Sequence, residues 1–329
     1  MHLRDNKNQI DLKISRFLDW IRFKDSVDET LKTEGFQKIC TPYLVVAGAM
    51  ESQLETFKVQ RKFGSSLENL ELPTSPEFHL KKALAMGLQD IYEIKTCFRN
   101  EENSDHHRSE FTMLEFYKTN ASLFELIEVV QKILANLSSS IQKKVRPLNF
   151  KIYKISDLFA EIGVSLSPDS DLLSLKKQAE KLKVYTSETD DFDDIYFRIW
   201  LDKIEPYFDP NVFTIVHSYP PSQAALAKVA EDGWAQRFEI YAQGIELGNA
   251  FEELGDSVEI QRRWHLENSK RTLQGKCPHP IDLEFIKALD QMPPCSGIAL
   301  GLERLFMVFY ELKKMSDFQI FEAQNDVTS

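Results

Sequence analysis

Residues 98–117 read FRNEENSDHHRSEFTMLEFY, with Arg99, Glu101, Glu102, Asp105, Arg108 and Glu110 set between strongly apolar flanks. Into this stretch runs IYEIKTCFRNE, in which Tyr92, Ile94, Thr96 and Phe98 fall on one side of a strand. Glu93, Lys95, Cys97, Arg99 and Glu101 fall on the other. Beyond the charged segment, Thr112, Leu114 and Phe116 alternate with Phe111, Met113, Glu115 and Tyr117. Pairing of the two runs as a hairpin sends one apolar face into a core and gathers Arg99, Glu101, Phe111, Glu115 and Tyr117 on the other. A solvated face usually carries Lys, Thr and Ser. Two carboxylates, a guanidinium and two aromatics on one rigid platform suit a ligand site, although alternation alone leaves plain surface as the simpler reading.

The second half of the chain offers a similar hairpin in RFEIYAQGIELGNAF. A tight turn at Gln243-Gly244 places Tyr241 opposite Glu246, with Glu239 diagonal to Glu246 on the same face. Two acids so placed repel unless a cation or an arginine relieves them. Mg²⁺ carried by a polyphosphate fits the cation reading, because it takes few carboxylates and completes its shell with phosphate oxygens and water.

Around these hairpins, Ile14, Phe17, Leu18 and Ile21 recur at helical spacing, continued by Val27 and Leu31 and stopped at Gly35. FQKICTP then reads as a short strand ending at Pro42, and TSPEFHLKKALAMG as a helix with Pro76 in its first turn and Gly87 beyond its end. Ser138, Ser139 and Ser140 precede a basic, Pro-containing strip that suggests a seam. Residues 155–205 read as mainly helical, with ETDDFDD as a solvated acidic run. VFTIVHSYP is a further strand, and Leu302, Leu305, Phe306 and Phe309 mark a closing helix. Hairpins with helices gathered around them predict an α+β fold with a mostly antiparallel sheet.

Composition narrows the function classes. The 329 residues carry a net charge of −11, which argues against a broad basic surface for nucleic acid. Cys40, Cys97, Cys277 and Cys295 form no CxxC pair, so reduced thiols in the cytosol are expected. Cys277 and His279 lie close together, but two potential ligands without a second pair make a poor zinc site. MHLRDNKNQID lacks the apolar core of a signal peptide, and no apolar run approaches membrane-spanning length.

FRNEE, EFTMLEFY, GIELGNAFEEL and SGIALGLER, in that order, resemble the motifs of class II aminoacyl-tRNA synthetase catalytic domains of the lysyl subgroup. The first long helix, the strand after it and Pro42 resemble motif 1 of that class, and the resemblance extends from about residue 12 to about residue 320. It implies a single catalytic domain over 1–329, flanking helices, and a partly helical insertion at about 140–210. It also leaves no room for an N-terminal OB-fold that grips the anticodon, a module of ~100 residues or more.

Within the subgroup, several features are similar to a short bacterial branch that modifies a protein lysine instead of tRNA. Ser75 in TSPE stands where synthetases usually have Ala, and Ala299 where they usually have Gly. HSYPPSQAALA and the pair His106-His107 also resemble that branch. DHHRSEF departs from its usual RHHNPEF at Asp105, Arg108 and Ser109, and Ala250 and Glu303 replace the usual Gly and Asp.

The resemblance implies attack of a substrate carboxylate on the α-phosphate of ATP, with Mg²⁺, and transfer of (R)-β-lysine or lysine to a lysine of elongation factor P. It implies that Arg99 bridges phosphate and substrate carboxylate, that Phe111 stacks on adenine, and that Arg304 covers the other adenine face. Glu101 would accept from the adenine amino group, His107 would approach the γ-phosphate, and Glu239 and Glu246 would hold the metal. Ser75, Glu77, Glu115, Tyr117, Asn249, Phe251, Glu253 and Ala299 match the amino-acid pocket. For Arg99 a salt bridge to Glu93 or Glu101 is the structural alternative, for Glu77 a capping box in Thr74-Ser75-Pro76-Glu77, and for Ser75 a plain N-cap. A homodimer in the cytoplasm is implied as well. Two other readings are a tRNA-charging lysyl enzyme without its anticodon module, against which the acidic balance, Ser75 and Ala299 weigh, and a non-catalytic regulatory subunit. Such subunits usually lose ATP ligands, which are retained here.

Overall fold

The computed structural model describes residues 2–140 and 148–321. Their contacts divide the chain into two units, residues 1–145 with 255–329, and residues 146–254.

The first unit opens with helix α1 (His2–Thr33). Trp20, Phe23, Val27 and Leu31 are buried, whereas Ile14, Leu18 and Ile21 are 43, 46 and 39% exposed. The single stripe read from the sequence is therefore two faces. Trp20 and Phe23 settle which one turns inward, because their rings meet Phe306 at 5.4 and 5.3 Å. Strand β1 is only Gln37–Lys38, parallel to β4 (Ile91–Phe98). The rest of FQKICTP is anchored by side chains: Thr41 donates from N and Oγ1 to the Glu93 carboxylate (3.0 and 2.7 Å), and Lys95 Nζ donates to the Thr41 carbonyl (2.6 Å).

Between β1 and β4 lie a hairpin, β2 (Lys58–Phe63) with β3 (Ser66–Glu71), which the sequence reading did not predict, and helix α2 (Glu77–Ala85). Pro76 precedes the first turn of α2, and Gly87 takes φ +102° after its end, a conformation costly for other residues. Strand β5 (Glu110–Thr119) pairs antiparallel with β4 in the predicted phase, Cys97 facing Phe111 and Glu93 facing Glu115. Helix α3 (Leu123–Ser140) follows, unpredicted, with Ser138–Ser140 as its last turn. Most of the basic strip assigned to the seam lies outside the described residues.

The second unit contains β6 (Phe150–Lys154), α4 (Ile155–Glu161), α5 (Leu172–Lys181), α6 (Phe192–Ile199), β7 (Phe213–Tyr219), β8 (Ala235–Ala242) and β9 (Ile245–Glu252). Its strands run in the order β9-β8-β7-β6, over a core that includes Phe159, Tyr196, Trp200, Tyr219 and Tyr241. The helical reading of this region holds, but ETDDFDD is more than a solvated run. Asp191 and Asp194 form a capping box on α6, and the nearly buried Asp190 pairs with Arg198. The chain leaves α6 through a π-turn at Trp200–Ile204.

The β8–β9 hairpin turns on Gln243 and Gly244, both at positive φ (54° and 71°), with Ala242 facing Ile245 and Tyr241 facing Glu246. The next partners are Ile240 and Gly248, so Leu247 is an extra residue in β9. That bulge reverses strand parity, and Glu246, Asn249 and Phe251 share the face of Tyr241, Glu239 and Arg237.

The first unit then resumes with α7 (Ser257–Leu273), α8 (Leu283–Leu289), β10 (Cys295–Gly301) and α9 (Leu302–Tyr310). Its strand order is β1-β4-β5-β10, with β10 antiparallel to β5 and Ala299 directly opposite Glu115. Both units are thus α+β with mostly antiparallel sheets. Among the described residues no helix is long and apolar enough to cross a membrane.

Candidate active site

The first unit assembles the residues expected to meet a nucleotide. Arg99 follows β4 directly, and its guanidinium carbon lies 5.1 Å from the centroid of the half-exposed Phe111 ring. The alternative partner Glu93 is engaged by Thr41 and Lys95. Arg304, in the first turn of α9, donates from Nε to the His106 carbonyl (3.3 Å). His107 is exposed; partial desolvation first, and then Arg304, hold its imidazole below the usual pKa range. Glu101 is exposed, and its carbonyl accepts from Ser109 Oγ (3.0 Å). The three loop residues that depart from the branch pattern hold the loop itself. Arg108 donates to the Ser104 and His107 carbonyls, Ser109 N donates to Asn103 Oδ1 (2.8 Å), and the Asp105 carbonyl accepts from Met315 N (3.1 Å).

The same unit carries further predicted residues on α2, β5 and β10. Glu115 is 2% exposed and accepts a 2.6 Å hydrogen bond from Tyr117 Oη. Glu77 forms an ion pair with Lys81, one helical turn on, whose ammonium is buried and lies 5.9 Å from the Tyr117 ring centroid. The capping box with Thr74 is not what forms: Thr74 Oγ1 donates to the Gly48 carbonyl (2.9 Å), and the Glu77 carboxylate turns to Lys81. Ser75 Oγ accepts from Glu77 N (3.3 Å), and half-buried Ala299 stands opposite Glu115. A dicationic amine suits such a place, since buried carboxylates need cationic or hydrogen-bonding partners.

The second unit carries the remaining predicted residues on the bulged face of β8 and β9. Glu239 is 7% exposed and accepts from Tyr219 Oη (2.7 Å), from Tyr241 Oη and from the Arg237 guanidinium. Arg237 Nε donates to Asn249 Oδ1 (3.0 Å), and the guanidinium lies 5.8 Å from the Phe251 ring centroid. Burial opposes the charge on Arg237, but Glu239, Tyr219, Glu246 and Tyr196 together more than offset it and hold the pKa above its usual value. Burial, with Glu239 as the next cause, pushes the Tyr219 and Tyr241 phenols well up. Glu246 is exposed and faces Tyr241, while Glu253 is buried and bridges to Ala227. An arginine already relieves Glu239, which is the structural alternative read from the sequence. A carboxylate offers about four lone-pair positions and three donors reach Glu239, so a metal can still be met there. Glu239 and Glu246 would hold Mg²⁺, and its remaining ligands would be phosphate oxygens and water.

Four residues escaped the sequence reading. Lys81 and Arg237 had local signals, i,i+4 from Glu77 and i,i+2 from Glu239. Glu51 had none: it is half-buried, and burial first, then the Glu77 charge, push its pKa up while Arg99 opposes. Arg271 is the fourth. Its buried guanidinium holds the Ser52 and Leu54 carbonyls (3.0 and 2.8 Å) and both Glu55 oxygens, and the Glu55 carbonyl accepts from Asn100 N (2.9 Å) beside Arg99. Cys277 and His279 serve the same clamp. The Cys277 carbonyl accepts from Arg271, and His279 Nε2 lies 3.2 and 3.1 Å from the Glu51 and Leu54 carbonyls.

An antiparallel sheet with this arginine, aromatic and acid arrangement defines a class. The family described as tRNA synthetases class II (D, K and N) matches residues 3–325, and the chain belongs to it. More particularly, the chain is similar to the elongation factor P–(R)-β-lysine ligase of Haemophilus influenzae strain PittGG, 34% identical over 300 residues that cover 88% of this chain and 90% of that one. The ligase of Hamiltonella defensa is 32% identical over 298 residues, 88 and 89% of the two chains. A homologue of the same ligase from Aquifex aeolicus is 32% identical over 291 residues, 88 and 94%.

Proposed function

We propose that the chain activates (R)-β-lysine, or lysine, with ATP and transfers it to a lysine side chain of elongation factor P. The observation that carries this reading is the similarity to ligases of that name over most of both chains, in a protein that keeps Arg99 against Phe111 and Glu239 in its three-donor network. A regulatory subunit would have no need of either.

In the first step a carboxylate oxygen of the substrate attacks the α-phosphorus, the bond to the β-phosphate breaks, and pyrophosphate leaves. No enzyme nucleophile is needed, so positioning and charge stabilisation carry catalysis. Arg99 can fork between the α-phosphate and the substrate carboxylate. Phe111 and Arg304 sandwich the adenine, Glu101 accepts from its amino group, and His107 reaches toward the γ-phosphate. Glu239 and Glu246 would hold Mg²⁺, which when bound would supply neutralisation of phosphate charge. In the first unit Glu77, Glu115, Tyr117 and Ser75 would receive the ammonium end of the substrate beside Ala299, and in the second unit Asn249, Phe251 and Glu253 are the positions that match the amino-acid pocket of the family. In the second step the neutral amine of the acceptor lysine attacks the adenylate carbonyl. The bond to AMP breaks, the amine loses its proton, and a stable amide remains. Transfer rises with pH toward the free amine's pKa of about 10.4 unless the site lowers it.

With ATP, Mg²⁺ and (R)-β-lysine, the protein should add one lysyl mass to elongation factor P. Removing the acceptor lysine should abolish the adduct and leave pyrophosphate exchange intact. Ester formation on tRNA with no adduct on the protein would refute the reading in favour of a truncated synthetase. We place the enzyme in the cytoplasm as a homodimer formed through the exposed face of α1.

A further inference from the structure

We infer that Arg237 is a positioning residue that couples the metal acid Glu239 to the amide Asn249, so that affinity for Mg²⁺ and affinity for the amino acid change together. The inference rests on the function proposed above.

The coupling follows from the geometry of one guanidinium. Arg237 and Glu239 lie two residues apart on one face of β8, with Asn249 directly opposite Glu239 and Phe251 opposite Arg237. The Arg237 side chain is 12% exposed. It donates to Glu239 Oε1 from Nη2, to Asn249 Oδ1 from Nε (3.0 Å) and to the Gln223 carbonyl from Nη1 (2.6 Å). Tyr219, which also donates to Glu239, packs against it with its ring centroid 4.7 Å from the guanidinium carbon. A planar fork cannot follow one of these partners without leaving another.

Two consequences reach the ligands. Glu239 accepts from three donors, so the direction in which it can meet a metal is set by Arg237 and the two tyrosines. Guanidinium groups only donate, so Asn249 must present its carbonyl oxygen to Arg237 and its NH₂ elsewhere. A movement of Glu239 toward a metal is therefore felt at Asn249, and the reverse holds equally, because coupling between sites is reciprocal. Lysine would keep the charge but not the fork.

The test is pyrophosphate exchange by the full chain, wild-type and Arg237→Lys, titrating Mg²⁺ and (R)-β-lysine separately and following thermal unfolding. Residues that orient a metal ligand usually change affinity about 10–100-fold, so both half-saturation values should rise together in that range. A lowered melting temperature with both values at wild-type levels would make Arg237 structural only and overturn the inference. One value moving without the other would also overturn it. Should Arg237→Lys fail to fold, Asn249→Ala carries the test. It should raise the Mg²⁺ requirement severalfold although Asn249 holds no metal, and an unchanged requirement overturns the coupling. Wild-type protein without exchange on either lysine isomer would refute the functional reading, and the inference with it. Wild-type exchange with unmoved variants refutes the coupling alone.

Discussion

Replacing Glu303 by Gln should remove a pH dependence of stability built into the junction between α9 and β5. Glu303 is 5% exposed, and both its oxygens lie within reach of Thr112 N (2.8 and 2.9 Å). Burial raises its pKa from 4.5 to about 7, against the opposing effect of the Thr112 hydrogen bonds. The folded value lies above the unfolded one, so the contribution is fully present below the unfolded pKa and is lost as pH rises toward the folded one. The loss runs at about 1.4 kcal/mol per pH unit and totals about 3 kcal/mol, flat above neutrality. Glutamine imitates the protonated acid without titrating, and any cost of burying its NH₂ is a constant offset. Urea unfolding of both proteins at about pH 5.5 and about pH 8 isolates the effect as a difference of differences. Wild-type should lose about 2 kcal/mol relative to Glu303→Gln across that interval. A stability difference that stays constant within about 0.5 kcal/mol would refute the reasoning and show Glu303 ionised throughout.

Ala299→Gly should shift preference toward α-lysine, because the methyl beside Glu115 is worth ~1 kcal/mol of shape, a several-fold change in relative exchange rate. Unchanged rates with both isomers would remove Ala299 from the pocket wall. Arg99→Lys should lower kcat/KM for exchange roughly 100-fold, since an ammonium cannot fork between phosphate and carboxylate. A loss under about threefold would mean Arg99 only packs against Phe111. Sedimentation should find a dimer, because Ile14, Leu18, Ile21, Tyr43, Leu44 and Val46 are all more than a third exposed near the motif 1 segment. A monomer at ~1 μM would sink that expectation.

Period-two alternation was enough to phase β4 against β5, because one face must be buried and a slip of one residue would expose it. Gln243-Gly244 likewise named its own turn, since both residues tolerate positive φ. The bulge in β9 was legible only indirectly. Strict alternation sends Asn249, Phe251 and Glu253 to the face opposite Glu246, and the resemblance to a known family required the parity to break. The helices α3, α7 and α8 and the β2–β3 hairpin were missed. Much of α7 is charged all round, with only Ile260, Trp264 and Arg271 buried, so hydrophobic period says little there.

The sequence by itself determined the strand faces, the turns, the motif order and most of the residues that meet ligand in the proposed reaction. Those are local facts, carried by side-chain period and by short runs of residue type. Which face of α1 turns inward was decided by aromatic packing between Trp20, Phe23 and Phe306, nearly 290 positions apart at the extreme. Only the tertiary structure decided that Glu93 and Lys95 anchor Thr41 instead of joining the ligand platform, and that Arg271 holds Glu55, 216 positions away, whose carbonyl accepts from Asn100 N beside Arg99. Hydrogen bonds of buried charges go to whichever partner the packed chain brings within about 3 Å, and sequence separation carries no record of that distance.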